Sequence, residues 1–170
     1  EFPSSSSALA DRLYLNDGKG NFSKASQILP VVAYISTSCV EPCDFDKDGD
    51  TDLFVGARLQ PFAYGLPADG YLLENDGKGY FKDVSVDKAP ALKGIGMVTD
   101  MLWADIDNDG DKDMVIAGDW MPVKILVSNG GRFTDESEKY GMKDTEGWWH
   151  RIEAADLNGD GFVDFVLGNH

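Results

Sequence analysis

Residues 44–56 read Asp44-Phe45-Asp46-Lys47-Asp48-Gly49-Asp50-Thr51-Asp52-Leu53-Phe54-Val55-Gly56, and the pattern returns twice. Asp105-Ile106-Asp107-Asn108-Asp109-Gly110-Asp111-Lys112-Asp113 leads into Met114-Val115-Ile116-Ala117-Gly118. Asp156-Leu157-Asn158-Gly159-Asp160-Gly161-Phe162-Val163-Asp164 leads into Phe165-Val166-Leu167-Gly168. Each copy has side-chain oxygens at positions 1, 3, 5 and 9, glycine at position 6, and an apolar run from position 10. A hard cation such as Ca²⁺ takes about six to eight oxygens at about 2.3–2.6 Å. Alternate residues of a tightly wound loop turn inward, so positions 1, 3 and 5 converge, and glycine at 6 permits the sharp reversal.

Position 7 is Asp50, Asp111 or Phe162. A phenylalanine side chain cannot ligate, so this position is assigned to its backbone carbonyl in all three loops. Position 9 returns a carboxylate from the start of the next element. The candidate ligands are therefore Asp44, Asp46, Asp48, Asp50 and Asp52 in the first loop. They are Asp105, Asp107, Asp109, Asp111 and Asp113 in the second, and Asp156, Asn158, Asp160, Phe162 and Asp164 in the third. Asn158 replaces a carboxylate, which makes the third site the weakest by charge. The expected cofactor is Ca²⁺ at three sites. No catalytic residue and no organic-cofactor residue is assigned. The plain alternative is an acidic, glycine-rich turn without metal, whose carboxylates would repel one another.

An EF-hand shares the first six positions but needs a bidentate glutamate at position 12. Position 12 here is Val55, Ile116 or Leu167. The segments that follow are short, apolar, partly β-branched and ended by glycine, which describes strands rather than a helix. The loop therefore joins two strands.

A second marker recurs between the loops. Asn16-Asp17-Gly18-Lys19-Gly20, Asn75-Asp76-Gly77-Lys78-Gly79 and Asn129-Gly130-Gly131 each stand between apolar runs. Asn-Gly and Asp-Gly supply the positive φ of a tight hairpin. The loops start at 44, 105 and 156 and the hairpin asparagines lie at 16, 75 and 129. Both markers thus recur about every 50–60 residues, and they interleave. One repeat reads strand A, acidic loop, strand B, long connection, strand C, hairpin, strand D, which is a β-propeller blade. The expected fold is all-β: a partial propeller, a fragment of a larger one, with four-stranded antiparallel blades and calcium loops between strands A and B. The expected divisions are 1–28 (lead-in plus a C–D half blade), 29–88 and 89–143 (complete blades), and 144–170 (an A–B half blade). Residues 1–10 are serine-rich and patternless.

In an antiparallel blade the A–B and C–D turns share one rim. The opposite rim then carries residues 58–69 with Phe62 and Tyr64, Asp119-Trp120-Met121-Pro122, the 86–98 connection, and Gly147-Trp148-Trp149-His150. It is the longer and more aromatic rim, where binding loops are expected. Trp103 and the D-strand aromatics Phe22, Phe81 and Phe133 are expected in the core. Trp148 and Trp149 read as packing between blades with His150 capping the start of a strand, or as a sugar-stacking cleft.

The chain has 170 residues, 42% hydrophobic, with a net charge of −15. That composition excludes a disordered chain, and no apolar run reaches membrane-span length. The loops contribute eleven carboxylates at positions 1, 3, 5 and 9, so the acidity has a local explanation and nucleic-acid binding is not expected. Cys39 and Cys43 are the two cysteines. Residues four apart in a strand lie about 13 Å apart, beyond disulfide reach, so two small thiols are favoured unless Pro42 bends the chain.

With these motifs in view, the chain from residue 11 onward resembles the FG-GAP/VCBS repeats of integrin-α-like β-propellers. Gly96-Met97-Val98-Thr99-Asp100, Gly118-Asp119-Trp120-Met121-Pro122 and Gly147-Trp148-Trp149 are similar, more narrowly, to the ASPIC/UnbV-associated bacterial members, themselves like cartilage acidic protein. The resemblance implies a seven-bladed propeller on secreted or surface-exposed proteins, calcium at the loop residues, and ligands on the rim away from calcium. The expected function is a calcium-stabilised extracellular, cell-surface or periplasmic adhesion or interaction module that is not an enzyme. Its expected partner is a protein or glycan, with no membrane insertion. Alternatives are a propeller-based polysaccharide lyase or hydrolase, and a purely architectural spacer.

Overall fold

The computed structural model describes residues 10–31, 35–60 and 62–169. Most of the lead-in, residues 1–9, lies outside them, as do Pro61 and His170. Among the described residues, twelve strands run in the expected order. The first hairpin pairs β1 (Tyr14–Asn16) with β2 (Phe22–Lys24). A four-stranded antiparallel meander follows: β3 (Ser36–Cys43), β4 (Asp52–Leu59), β5 (Gly70–Asn75) and β6 (Phe81–Asp83). Strands β7 (Met97–Ala104), β8 (Asp113–Met121), β9 (Lys124–Asn129) and β10 (Arg132–Asp135) repeat that meander. Finally β11 (Gly147–Ala155) pairs with β12 (Asp164–Asn169). The chain is an all-β arc of propeller blades.

The B strands explain why the blades stack. Along β4, Phe54 belongs to one apolar cluster and its neighbour Val55 to another. Along β8, Met114 and Ile116 join the cluster between the two complete blades, while Val115 and Ala117 join the cluster on the far side. Alternate residues of a strand point to opposite faces, so a strand covered by a blade on each side must be apolar throughout. Full burial of a side chain such as Phe54 or Ile116 contributes roughly 1.5–3 kcal/mol. The A strands add polar ties. Ser38 Oγ donates to Val98 O at 2.6 Å in the next blade, and Thr99 Oγ1 donates to Trp149 O at 2.6 Å. Each sits at a bulge in its A strand, where the register with strand B slips.

Phe81 and Phe133 are buried, and Trp103 packs against the core, meeting Phe133 at a centroid distance of 6.0 Å. Phe22 differs from expectation: it is 67% exposed, and the other residues of β1 and β2 are exposed too, forming a separate two-stranded sheet that buries none of its strand residues. Both cysteines are free, and burial pushes the Cys39 thiol up to about 12. A helical turn, α1 (Ser85–Lys88), was not legible in the sequence. It follows a repeated clasp in which Ser85 donates to Asp83 and accepts from Leu72 N, as Ser137 does with Asp135 and Ile125 N.

Candidate metal centres

The three acidic loops share one hydrogen-bond plan. The carboxylate at position 1 accepts from the N–H of position 6: Asp44 from Gly49 at 3.1 Å, Asp105 from Gly110 at 3.0 Å, Asp156 from Gly161 at 2.9 Å. Position 5 accepts from position 7: Asp48 from Asp50 N, Asp109 from Asp111 N, Asp160 from Phe162 N. Position 9 accepts from position 2: Asp52 from Phe45 N, Asp113 from Ile106 N, Asp164 from Leu157 N. The aspartates therefore fold the loop before any ion is considered. Gly49, Gly110 and Gly161 have φ of 97°, 90° and 87°, a conformation that costs other residues dearly.

Position 9 is also a clasp to strand C. Asp52 Oδ1 accepts from Asn75 N at 2.8 Å, and Asp113 Oδ1 accepts from Ser128 N at 2.8 Å. Both carboxylates are fully buried. Burial pushes Asp52 up to about 6 and Asp113 upward as well, against the lowering effect of those N–H bonds. In the first two loops the side chain at position 7 lies against a hairpin. Asp111 Oδ2 accepts from Gly130 N at 2.7 Å, and a Cβ on Gly77 would lie 2.5 Å from Asp50 Oδ2. The first two acidic loops and the hairpins thus share one rim.

Ligand-capable oxygens of Asp44, Asp46 and Asp48 lie within 4.8 Å of one another, and so do those of Asp105, Asp107 and Asp109. These two clusters could hold a metal ion. Asp44 Oδ1, Asp46 Oδ1 and Asp105 Oδ1 are buried and have no hydrogen-bond partner. Buried polar atoms left unpaired cost about 1–3 kcal/mol each. Two of these unpaired oxygens belong to the first cluster and one to the second, and a divalent cation is the group that such clustered carboxylates fit. In the third loop the same positions are engaged internally. Asp156 Oδ1 accepts from Gly159 N and Asp160 N, and Asn158 Nδ2 donates to Asp160 Oδ2. Hydrogen bonds from Gly161 and Gly159 hold Asp156 below the usual carboxylate range.

Two lysines near the loops carried no signal in the sequence. Lys88 in α1 pairs with Asp46 Oδ2 at 2.8 Å and Glu74 at 2.7 Å, and lies over the Phe45 ring at 4.8 Å. Lys47 pairs with Asp111 of the next loop at 2.6 Å. They are charges brought in by tertiary structure, so spacing within the loops could not reveal them.

On the opposite rim, three separate sequence segments meet. Asp119 pairs with Met97 in the β7–β8 ladder and with Trp148 in the β8–β11 ladder. A Cβ on Gly118 would meet Met97 O at 2.2 Å, and one on Gly96 would meet Met121 Sδ at 2.5 Å. These glycines serve close packing. Trp120 and Trp148 stack with centroids 5.3 Å apart, and they are 60% and 37% exposed. Trp120 and Phe62 have φ of 58° and 66°, left-handed values unusual for bulky residues. β11 begins at Gly147, so His150 lies within the strand rather than capping it. Trp149 packs against the third cluster and donates to Thr145 O, whereas Trp148 is on the surface.

The FG-GAP-like repeat matches the chain over residues 4–55 and 105–167, which include all three acidic loops. No curated protein matches it.

Proposed function

The chain belongs to the FG-GAP-like repeat family, and on that premise we propose that it is a calcium-stabilised interaction module working outside the cytoplasm. The observation that carries the calcium reading is the set of buried, unpaired oxygens on Asp44, Asp46 and Asp105 inside two carboxylate clusters. Asp44, Asp46 and Asp48 would hold one ion and Asp105, Asp107 and Asp109 another, with position-7 carbonyls and Asp52 or Asp113 completing each set. Asp156, Asn158, Asp160, Phe162 and Asp164 form the weaker third site. Bound calcium supplies charge neutralisation at each loop. The protein's own part is to hold the A–B turn against the C–D hairpin. Loops of this charge suit surroundings where calcium is near millimolar, which motivates an extracellular, cell-surface or periplasmic setting.

The same reading places a protein or glycan partner on the opposite rim. Its support is the exposed Trp120–Trp148 stack, together with the left-handed backbone of Trp120 and Phe62, a strain of the kind that clusters at functional sites. The narrower ASPIC/UnbV-associated kinship rests on the segments that converge there. No helix among the described residues is long and apolar enough to cross a membrane. The reading includes no catalysis. His150 lines a cavity of about 230 Å³ with Ser36, Thr37, Ser38, Arg58 and Thr99. Turnover of an acidic polysaccharide, lost in His150→Ala, would replace the module by an enzyme.

Calorimetric titration with Ca²⁺ tests the metal reading, and absence of uptake near millimolar calcium ends it. A glycan and protein screen on the calcium-loaded chain, repeated with Trp120→Ala, tests the rim. Binding unaffected by that substitution would move the partner elsewhere.

A further inference from the structure

One side chain joins the first acidic loop to the second. Lys47 stands between Asp46 and Asp48, and its own backbone is left-handed at φ 62°. Its ammonium lies 2.6 Å from Asp111 Oδ1 in the second loop and within electrostatic reach of Asp109 and Asp105. A Cβ built on Gly110 would be 4.0 Å from Lys47 Nζ, so the charge sits over the glycine corner of the second loop. Asp111 is also fixed from the other side by Gly130 N. The equivalent positions of the second and third loops are Asn108 and Gly159, neither of which carries a charge onward.

We infer that Lys47 couples the two clusters, so that filling the first loop with a divalent cation weakens cation binding in the second. This rests on the calcium reading above. An ion between Asp44, Asp46 and Asp48 fixes the backbone on both sides of Lys47 and repels its ammonium. The second loop's carboxylates are where that ammonium already lies. There it reduces the negative potential that draws a cation to Asp105, Asp107 and Asp109. The coupling is reciprocal, as binding free energies require. Lys88 differs in kind, since it contacts Asp46 of the first loop itself and spans no two loops.

The test is a thermodynamic cycle read by calorimetric Ca²⁺ titration of the full chain, with the third loop silenced throughout by Asp156→Asn and Asp160→Asn. Second-loop affinity is measured with the first loop intact and with it silenced by Asp44→Asn and Asp48→Asn. Silencing is expected to tighten the second loop about two- to fivefold, the span of solvent-exposed charge interactions. Lys47→Gln is expected to shrink that difference, and Lys47→Arg to preserve it. Raising salt to about 1 M should also reduce it, because the Debye length falls to about 3 Å. A difference as large in Lys47→Gln as with Lys47 present overturns the inference. If the silenced chains do not fold, Lys47→Gln alone should narrow the gap between the first two stepwise affinities; an unchanged gap overturns it. A chain that takes up calcium while the cycle closes to zero refutes the coupling alone. A chain that takes up none refutes the calcium reading as well.

Discussion

The first two acidic loops and the third share their spacing and their backbone plan, yet they meet different surroundings. Asp52 and Asp113 are fully buried and reach strand C through Asn75 and Ser128. Asp164 is half-buried and accepts from Leu157 N, and no strand-C N–H reaches it among the described residues. Buried, unpaired oxygens lie in the first and second loops, whereas Asp156, Asn158 and Asp160 of the third are exposed and bond to local N–H groups. The difference teaches that spacing makes the loop, but packing against a strand C and its hairpin is what buries its carboxylate oxygens.

Removing calcium should produce the largest effect and should come from the first two loops. At about 100 times the dissociation constant, each site adds about 2.7 kcal/mol. Two sites then correspond to a fall of about 10–20 °C in Tm on adding chelator, at about 2–4 °C per kcal/mol. A scanning calorimetry trace unchanged by chelator would break the comparison at its root. Asp156→Asn with Asp160→Asn should move the calcium-loaded Tm by only a few degrees.

A sharper contrast is expected at position 9. In calcium, Asp52→Ala leaves the N–H groups of Phe45 and Asn75 without their acceptor and should cost roughly 2–4 kcal/mol by denaturant titration. Asp164→Ala should cost less than about 1 kcal/mol. Equal losses would show that strand C adds nothing to the clasp.

Position 13 extends the contrast to the strands. A Cβ on Gly56 would lie 2.7 Å from both Cys39 Sγ and Val98 Cγ1, whereas one on Gly168 would meet Arg151 Cβ at 3.5 Å. Gly56→Ala should therefore destabilise by about 1–3 kcal/mol, and Gly168→Ala should stay within about 0.5 kcal/mol of neutral. Urea midpoints of the two variants decide the matter.

The smallest expected effect is on pH. In calcium-free protein, Asp52 titrates at about 6 when folded, against about 3.9 when unfolded. Between those values the folded state holds the proton that the unfolded state has released. Stability from this group is therefore full below the unfolded value and lost as pH rises toward 6. Melts in chelator should fall by a few degrees across that window, and Asp52→Asn should flatten the slope. A slope that persists unchanged would assign it to other carboxylates.

The sequence alone determined the repeat, the strand order, the loop-bearing rim and the acidic positions that converge. It could do so because these depend on short-range rules: alternation along a strand, positive φ at glycine, and oxygen side chains two residues apart. Phe22 and His150 mark where such rules stop, since neither the exposure of a ring nor the start of a strand is written in local spacing. Only the tertiary structure decided which carboxylate oxygens stay unpaired, that Lys88 and Lys47 bring charge to the loops, and that Trp120 and Trp148 stack. Each of those outcomes is set by groups far apart in the chain, whose approach is fixed by blade stacking rather than by their neighbours in sequence.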